Sequence, residues 1–231
     1  ILSLVIGITL NSVVFSVVDW LWLEQTPFGD PEEVVRLFTQ DREGDLTDFT
    51  WPAFRGIQEQ VQTLEGVAAV EHQGALYTDT DGVTQLLLAD VTSRNFFELM
   101  RLTPAAGIVY RADDAPETLA DRDVVISYAL WERAFGKDPD LVGSTIDLSG
   151  RAHRVMGVAP EDYTGLRRIL HTDVWFPARS WGDPATWTGD FPAYVVLGRL
   201  APGSTVEQAR AEVSGIVQRL DVRDTVTREP M

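Results

Sequence analysis

Three histidines, 35 acidic side chains and no cysteine define the chemistry open to this chain of 231 residues. His72, His153 and His171 fall in or beside expected strands, without the close pairing that a metal site uses. No His-Glu-x-x-His pair and no Gly-x-Ser-x-Gly elbow occurs. The absence of cysteine removes thiolate nucleophiles, Cys-based zinc sites and disulfides together. Gly136-Lys137 is followed by Asp138 and lacks the earlier glycine of a phosphate-binding loop, so ATP is not held by that route. Asp79 and Asp81 have the look of a calcium loop, but Tyr77 stands where the first carboxylate belongs and Leu88 where the bidentate Glu belongs. We therefore assign no catalytic, cofactor-binding or metal-ligating residue. Two other classes stay open. Some of the carboxylates must approach one another, as a paired-carboxylate hydrolase requires. The tryptophan-rich region from Trp175 to Trp187 could line a ligand pocket, although core packing is the commoner use of tryptophan.

A formal charge of −16 repels nucleic acid and anionic headgroups unless a basic patch offsets it, and Arg167-Arg168 is the nearest approach to one. No nucleic-acid partner is expected. An apolar content of 45% suits an ordinary globular core.

From Ile1 to Val18 no residue is charged, and the run is mainly Ile, Leu, Val and Phe. It is slightly shorter than the roughly 20 residues that span a bilayer, and the chain begins with Ile and not Met. Residues 1–23 are accordingly read as the end of a transmembrane helix, with Trp20 and Trp22 at the membrane interface. No basic region precedes the run and no small-residue cleavage site follows it, which argues against a signal peptide. Asp19, Glu24, Asp30, Glu32 and Glu33 all precede the first basic residue, Arg36. Cytoplasmic flanks favour Lys and Arg, so residues 24–231 are expected outside the cytoplasm.

The remainder reads as α+β. Val34 to Gln40 is a β-prone run after the turn signal Asp30-Pro31. Thr50 caps a helix carrying Phe54, Ile57, Val61 and Leu64 until Gly66. Hairpins are expected about Asp81-Gly82, joining Val67 to Tyr77 with Val83 to Val91, and about Ser149-Gly150, joining Ser144 to Leu148 with Arg151 to Val158. Between them, a short helix carries Phe96, Phe97 and Met100, and the acidic stretch Arg111 to Asp123 reads as an exposed connection. Val124 to Ile126 is a buried strand, and Ser127 caps a helix that ends at Gly136. The region from Asp162 to Phe191 reads as loop apart from Asp173 to Phe176. Tyr194 to Leu200 is a strand, followed by a helix with a Thr205/Gln208 capping box and one apolar stripe through Val206, Ala209, Val213, Ile216, Val217 and Leu220.

In this order the motifs resemble the MacB-like periplasmic core domain of ABC transporter permeases, of the FtsX/LolC/MacB type. The resemblance begins with Gly7-Ile8-Thr9-Leu10-Asn11 and Pro27-Phe28-Gly29-Asp30-Pro31, and continues through Thr50-Trp51-Pro52-Ala53-Phe54 and Val91-Thr92-Ser93-Arg94-Asn95-Phe96-Phe97. Its most specific block runs from Val125-Ile126-Ser127-Tyr128-Ala129-Leu130-Trp131 through Phe135-Gly136-Lys137-Asp138-Pro139 to Val155-Met156-Gly157-Val158-Ala159-Pro160. Asp173-Val174-Trp175-Phe176-Pro177 and Gly198-Arg199-Leu200-Ala201-Pro202-Gly203 complete it. Thr50 stands where the pattern has Ser.

The resemblance implies a porter-like βαβ-type subdomain, about 32–92 plus 192–222, with a smaller Sabre-like α+β subdomain inserted at about 93–191. If so, the strand near Val34 to Gln40 shares a sheet with the strand near Tyr194 to Leu200. The resemblance also implies a non-catalytic domain of an export permease in the inner or plasma membrane. Such a permease forms a homodimer or pseudo-dimer, couples to a cytoplasmic ATPase that holds ATP on a separate domain or subunit, and engages substrate or a periplasmic adaptor. The competing reading is a membrane-tethered or secreted ligand-binding module without a transport role.

Overall fold

A computed structural model describes residues 14–16, 30–40, 45–79, 81–112, 122–167, 170–178 and 194–227. Its strands are β1 (Val14–Ser16), β2 (Val34–Gln40), β3 (Leu46–Thr47), β4 (Leu64–Thr78), β5 (Thr84–Thr92), β6 (Ala106–Gly107), β7 (Asp123–Ile126), β8 (Thr145–Leu148), β9 (Arg151–Val158), β10 (Val174–Pro177) and β11 (Val195–Leu200). The helices are α1 (Trp51–Gln60), α2 (Phe96–Leu99), α3 (Tyr128–Phe135) and α4 (Val206–Thr227). The strands follow one path, β1-β2-β11-β4-β5-β10-β7-β9-β6, with β3 joined to β2 and β8 bridging β4 and β9. This is the mixed sheet with few helices expected of an α+β chain.

An early strand and the last strand are neighbours: β2 pairs antiparallel with β11, Leu37 opposite Val196 and Val34 opposite Arg199. The 15-residue β4 then carries the sheet onward. Its first half pairs with β11 and its second half with β5. Because side chains alternate across a strand, each central strand serves two cores. On β4, Val67 and Ala69 face a core closed by α1 and α4, while Ala68 and Val70 face the opposite one, built on Phe96, Phe97, Tyr110, Tyr163 and Trp175. Farther along, Ala75, Leu87, Val91, Val124, Val174 and Phe176 form a third core, against which Tyr128, Trp131 and Phe135 of α3 pack.

Capping follows the sequence closely. Thr50 accepts from the Ala53 N–H (3.3 Å), and Ser127 accepts from the Leu130 N–H (3.0 Å). Thr205 and Gln208 exchange reciprocal bonds, at 2.9 and 3.3 Å. Gly136 ends α3 in the left-handed region at φ 59°.

The structure departs from the expectations in four places. Helix α1 stops at Gln60 and not at Gly66, because the Gln62 and Thr63 N–H groups turn to the Glu212 carboxylate and β4 is already pairing at Leu64. The first hairpin is not a two-residue turn. Thr78 pairs with Thr84, and the longer loop is held by the Asp79 carboxylate accepting from the N–H groups of Asp81 (3.0 Å) and Val83 (2.8 Å). Asp123 is no exposed connection but the buried first residue of β7. Finally, the segment expected as the end of a membrane helix is not shown as one. Val14–Ser16 lie as an edge strand antiparallel to β2, where β-prone residues meet an open row of backbone donors and acceptors, and the rest of 1–23 is outside the described residues. Among the described residues no helix is long and apolar enough to cross a membrane.

Gly157 marks the tightest backbone approach. The β7–β9 register shifts between Val124 and Val125, and a Cβ on Gly157 would lie 2.1 Å from the Ile108 carbonyl oxygen. Gly157→Ala is expected to cost about 2 kcal/mol by overpacking against main chain that cannot yield. Urea unfolding of the two proteins measures this; a loss below about 0.5 kcal/mol would mean that β6 yields.

Candidate functional site

The most heavily coordinated buried acid is Asp90, in the apolar strand Leu86-Leu87-Leu88-Ala89-Asp90-Val91. Alternation turns Asp90 to the Trp175 face, directly opposite His72 of β4. Its side chain is fully buried. Oδ1 lies 2.7 Å from His72 Nδ1, Oδ2 accepts from Thr172 Oγ1 at 2.8 Å, and Arg167 Nη2 stands 4.0 Å away. One pleat farther along the same face, the Thr92 and Tyr110 hydroxyls meet at 2.5 Å. Burial pushes the Tyr110 and Tyr163 phenols far above their ordinary value, with the Asp90 charge adding to the effect, so both keep their protons.

A His–Asp pair is two-thirds of an acyl-transfer triad, but the nearby hydroxyl does not complete it. Thr172 donates to the carboxylate and not to the imidazole, so it is not a nucleophile presented to His72. What the arrangement does is tie β4 and β5 to the segment that leads into β10. A second acid continues that tie. Asp173 accepts from the Leu88 N–H at 3.1 Å and from Arg133 of α3 at 2.8 Å. Asp123 is gripped by both ends of the Arg154 guanidinium, at 2.7 and 2.6 Å. None of these acids was singled out as a site residue from the sequence, although Asp173 opens the motif Asp173-Val174-Trp175-Phe176-Pro177. The available signal was a lone carboxylate inside an apolar run, as at Asp90.

Glu212 plays the same part on the other face, accepting from the Gln62 and Thr63 N–H groups at 3.0 and 2.8 Å and from the Thr63 hydroxyl at 2.6 Å. Partial burial works against its charge, but these bonds and Arg219 outweigh it and hold the carboxyl below its ordinary value. A carboxyl depressed in the folded state stabilises fully above the unfolded value of about 4.3, and the contribution is lost as pH falls through the folded value. Glu212→Gln should therefore flatten the acid side of the stability profile. Urea midpoints at pH 7 and pH 4 check this, and an unchanged pH 7-to-4 difference would contradict it.

The remaining sequence candidates are dispersed. His153 is buried edge-on against Phe176, with ring centroids 5.2 Å apart, and burial pushes its imidazole below the ordinary value. His171 is exposed. Asp79 closes its own turn, and Gly136-Lys137 ends α3. Among the described residues no three His, Asp or Glu side chains are placed to hold a metal. Trp175 is wholly buried in the core; Trp181 and Trp187 lie outside the described residues. A shallow cleft of about 280 Å³ opens beside α2, lined by Phe97, Leu102, Val109, Arg101 and Arg111 among others.

The continuous sheet, the helices on its faces and the absence of an assembled catalytic group among the described residues set the frame for comparison. The family described as the MacB-like periplasmic core domain matches residues 1–216. The chain belongs to that family. Solved structures share the MacB-like fold at low identity. The periplasmic region of MacB from Actinobacillus actinomycetemcomitans aligns with a TM-score of 0.62 at 12% identity, covering 88% of this chain and 96% of that one. A domain of a permease protein from Porphyromonas gingivalis gives 0.58 at 19% identity, covering 80% and 79%. The extracellular domain of the noncanonic ABC-type transporter YknZ from Gram-positive bacteria gives 0.58 at 15%, covering 81% and 94%. No curated protein matches the chain. The MacB-like motifs have clear physical uses here: Ser127 and Gly136 delimit α3, Trp175 fills a core, and Gly157 permits a close strand crossing.

Proposed function

We propose that this MacB-like domain relays conformational change in an ABC export permease, is itself non-catalytic, and engages substrate or a periplasmic adaptor on its outer side. The observation that carries the reading is mechanical. Near its start the chain runs through β2 and near its end through β11 and α4, and these elements share one core through Val35, Leu37, Val196, Val213 and Ile216. A displacement of either flanking segment therefore acts on the same packed layer, which passes it to β4 and the strands beyond. Close-packed layers shift between discrete arrangements more readily than they deform, so such a layer is suited to a two-state relay.

In this reading the chain is attached to the inner or plasma membrane, residues 24–231 lie outside the cytoplasm, and the permease works as a homodimer or pseudo-dimer. ATP binds to a cytoplasmic ATPase domain or subunit, and no cofactor is held on this chain. The early and late segments form the porter-like part, and 93–191 the Sabre-like insert.

This chain contributes no native cysteine, so spin labels are directed to cysteines introduced at the exposed positions Arg151 and Gln218 of the full-length permease, with any native cysteine elsewhere in the permease or its ATPase replaced. ATP binding should change the distance between the two labels. An identical distance distribution in the nucleotide-free, ATP-bound and ADP-bound states would overturn the relay.

A further inference from the structure

Asp81-Gly82 is the one Asp-Gly pair in the chain, and every other aspartate precedes a residue that carries a Cβ. An aspartate side chain can close on the main-chain nitrogen of the next residue, and a Cβ on that residue obstructs the approach. At Gly82 neither its own side chain nor a neighbour stands in the way. Both residues are exposed, and even an added Cβ at Gly82 would meet no atom within 4 Å.

What restrains the pair is Asp79. Its carboxylate accepts from the Asp81 N–H at 3.0 Å and from the Val83 N–H at 2.8 Å, and its carbonyl accepts from the Gly82 N–H at 3.1 Å. The Asp79 N–H in turn donates to the Val83 carbonyl at 3.0 Å. While these bonds hold, the Asp81–Gly82 peptide is fixed in orientation and its nitrogen is engaged, with Gly82 at φ 81°. Both carboxylate bonds are exposed to solvent, and hydrogen bonds of that kind at a loop tip open without unfolding the domain.

We propose that Asp81–Gly82 is a site of spontaneous isoaspartate formation whose rate is set by the Asp79 staple. In the opened loop the Gly82 nitrogen attacks the carboxylic acid carbon of Asp81. A nitrogen–carbon bond forms, the carbon–hydroxyl bond breaks, and the hydroxyl leaves with the nitrogen's proton as water, giving a cyclic imide. Water then adds to the former main-chain carbonyl of Asp81 and breaks its bond to nitrogen. Gly82 is left joined through the Asp81 side chain, the main chain is longer by one methylene, and the mass is unchanged. No enzyme, cofactor or oxidant takes part. The added methylene changes the spacing that lets Asp79 grip residues 81, 82 and 83 together, so the modification releases the end of the β4–β5 hairpin, where Leu76 and Leu86 form an exposed cross-strand pair.

Peptide mapping by liquid chromatography and mass spectrometry, on this chain incubated for weeks at neutral pH, tests the site. An isomer of unchanged mass should accumulate at position 81 ahead of every other aspartate. Asp79→Ala, a change in an exposed loop, should accelerate it about fivefold, because the reaction proceeds from the open loop. Amide exchange at 81–84 should quicken by the same factor to within about twofold, while the amides of 87–92 keep their rates. Asp81→Glu, whose longer side chain closes the ring far more slowly, should remove the isomer. No isomer at 81, faster accumulation at another aspartate, or its persistence in Asp81→Glu would overturn the site. An equal rate in Asp79→Ala, or unchanged exchange at 81–84 in that variant, would overturn the control by Asp79. The reaction needs no membrane, ATPase or substrate, so its outcome is separate from that of the relay.

Discussion

Trp175→Ala should lower the free energy of unfolding by about 4 kcal/mol, the largest loss expected of any single truncation in this protein. The indole is fully buried on β10, which pairs with β5 on one side and β7 on the other, so strands fix the backbone on both flanks. Its ring stacks on Tyr163, with centroids 5.5 Å apart and planes 26° from parallel, and meets Phe97 edge-on at 6.0 Å. Removing it leaves a void lined by aromatic rings that are themselves packed, and collapse into that void is restricted. Trp175→Phe, which restores most of the contact area, should cost much less. Urea unfolding followed by circular dichroism gives the measurement. A loss below about 1.5 kcal/mol would show that the Tyr163 segment can close over the gap and that the core is less constrained than its geometry indicates. Truncating an exposed leucine such as Leu86 provides the contrast, with a change within about 0.5 kcal/mol.

Asp90→Ala is the second large effect, at about 3 kcal/mol. The cost comes from the partners left behind more than from the lost methylene. The Thr172 hydroxyl, in a buried residue, loses its acceptor, and His72 loses the carboxylate at its Nδ1. Asp90→Asn, which retains an acceptor oxygen, should be milder. A double-mutant cycle with Thr172→Val should give a coupling of about 1 kcal/mol, because the two groups share one bond. Additivity within about 0.3 kcal/mol would mean that the Asp90–Thr172 contact carries no stability of its own. The experiment also bears on function. If Asp90 were the acid of a hydrolytic site its replacement would abolish an activity, whereas a structural tie predicts a loss confined to stability.

The parts of the fold written locally were readable in advance. Ser127 and Gly136 bracket α3, Thr205 and Gln208 start α4, and Ser149-Gly150 makes the β8–β9 turn, because each depends on a side chain bonding to backbone a few positions away. The end of α1 was misjudged for the opposite reason. The apolar spacing of Val61 and Leu64 continues the helical pattern, but Glu212, about 150 positions later, captures the backbone at Gln62 and Thr63. Nothing within the α1 sequence encodes that acceptor. The expected strand at Asp173 to Phe176 was located correctly, yet its place between β5 and β7 at the centre of the sheet could not be read from four residues.

The candidate sites divide in the same way. Sequence dismissed the metal, nucleotide and thiol chemistries by the absence of residues, and it singled out His72, His153 and His171 without being able to pair them. Folding brought His72 opposite Asp90, buried His153 against Phe176 and left His171 exposed, because strand register decides which side chains meet. Trp175, considered beforehand as a pocket wall, became a core residue because its strand is covered on both faces.

By itself, then, the sequence determined the α+β character, the caps and turns, the acidic and cysteine-free chemistry, and the ordered motifs of the MacB-like family. Those properties depend on residue identity and on spacings of a few positions. Only the tertiary structure decided that β2 lies against β11 and that Asp90 serves as an internal tie. Each of these joins residues between 18 and about 170 positions apart. Their energies depend on burial and on register, and neither exists until the sheet has formed.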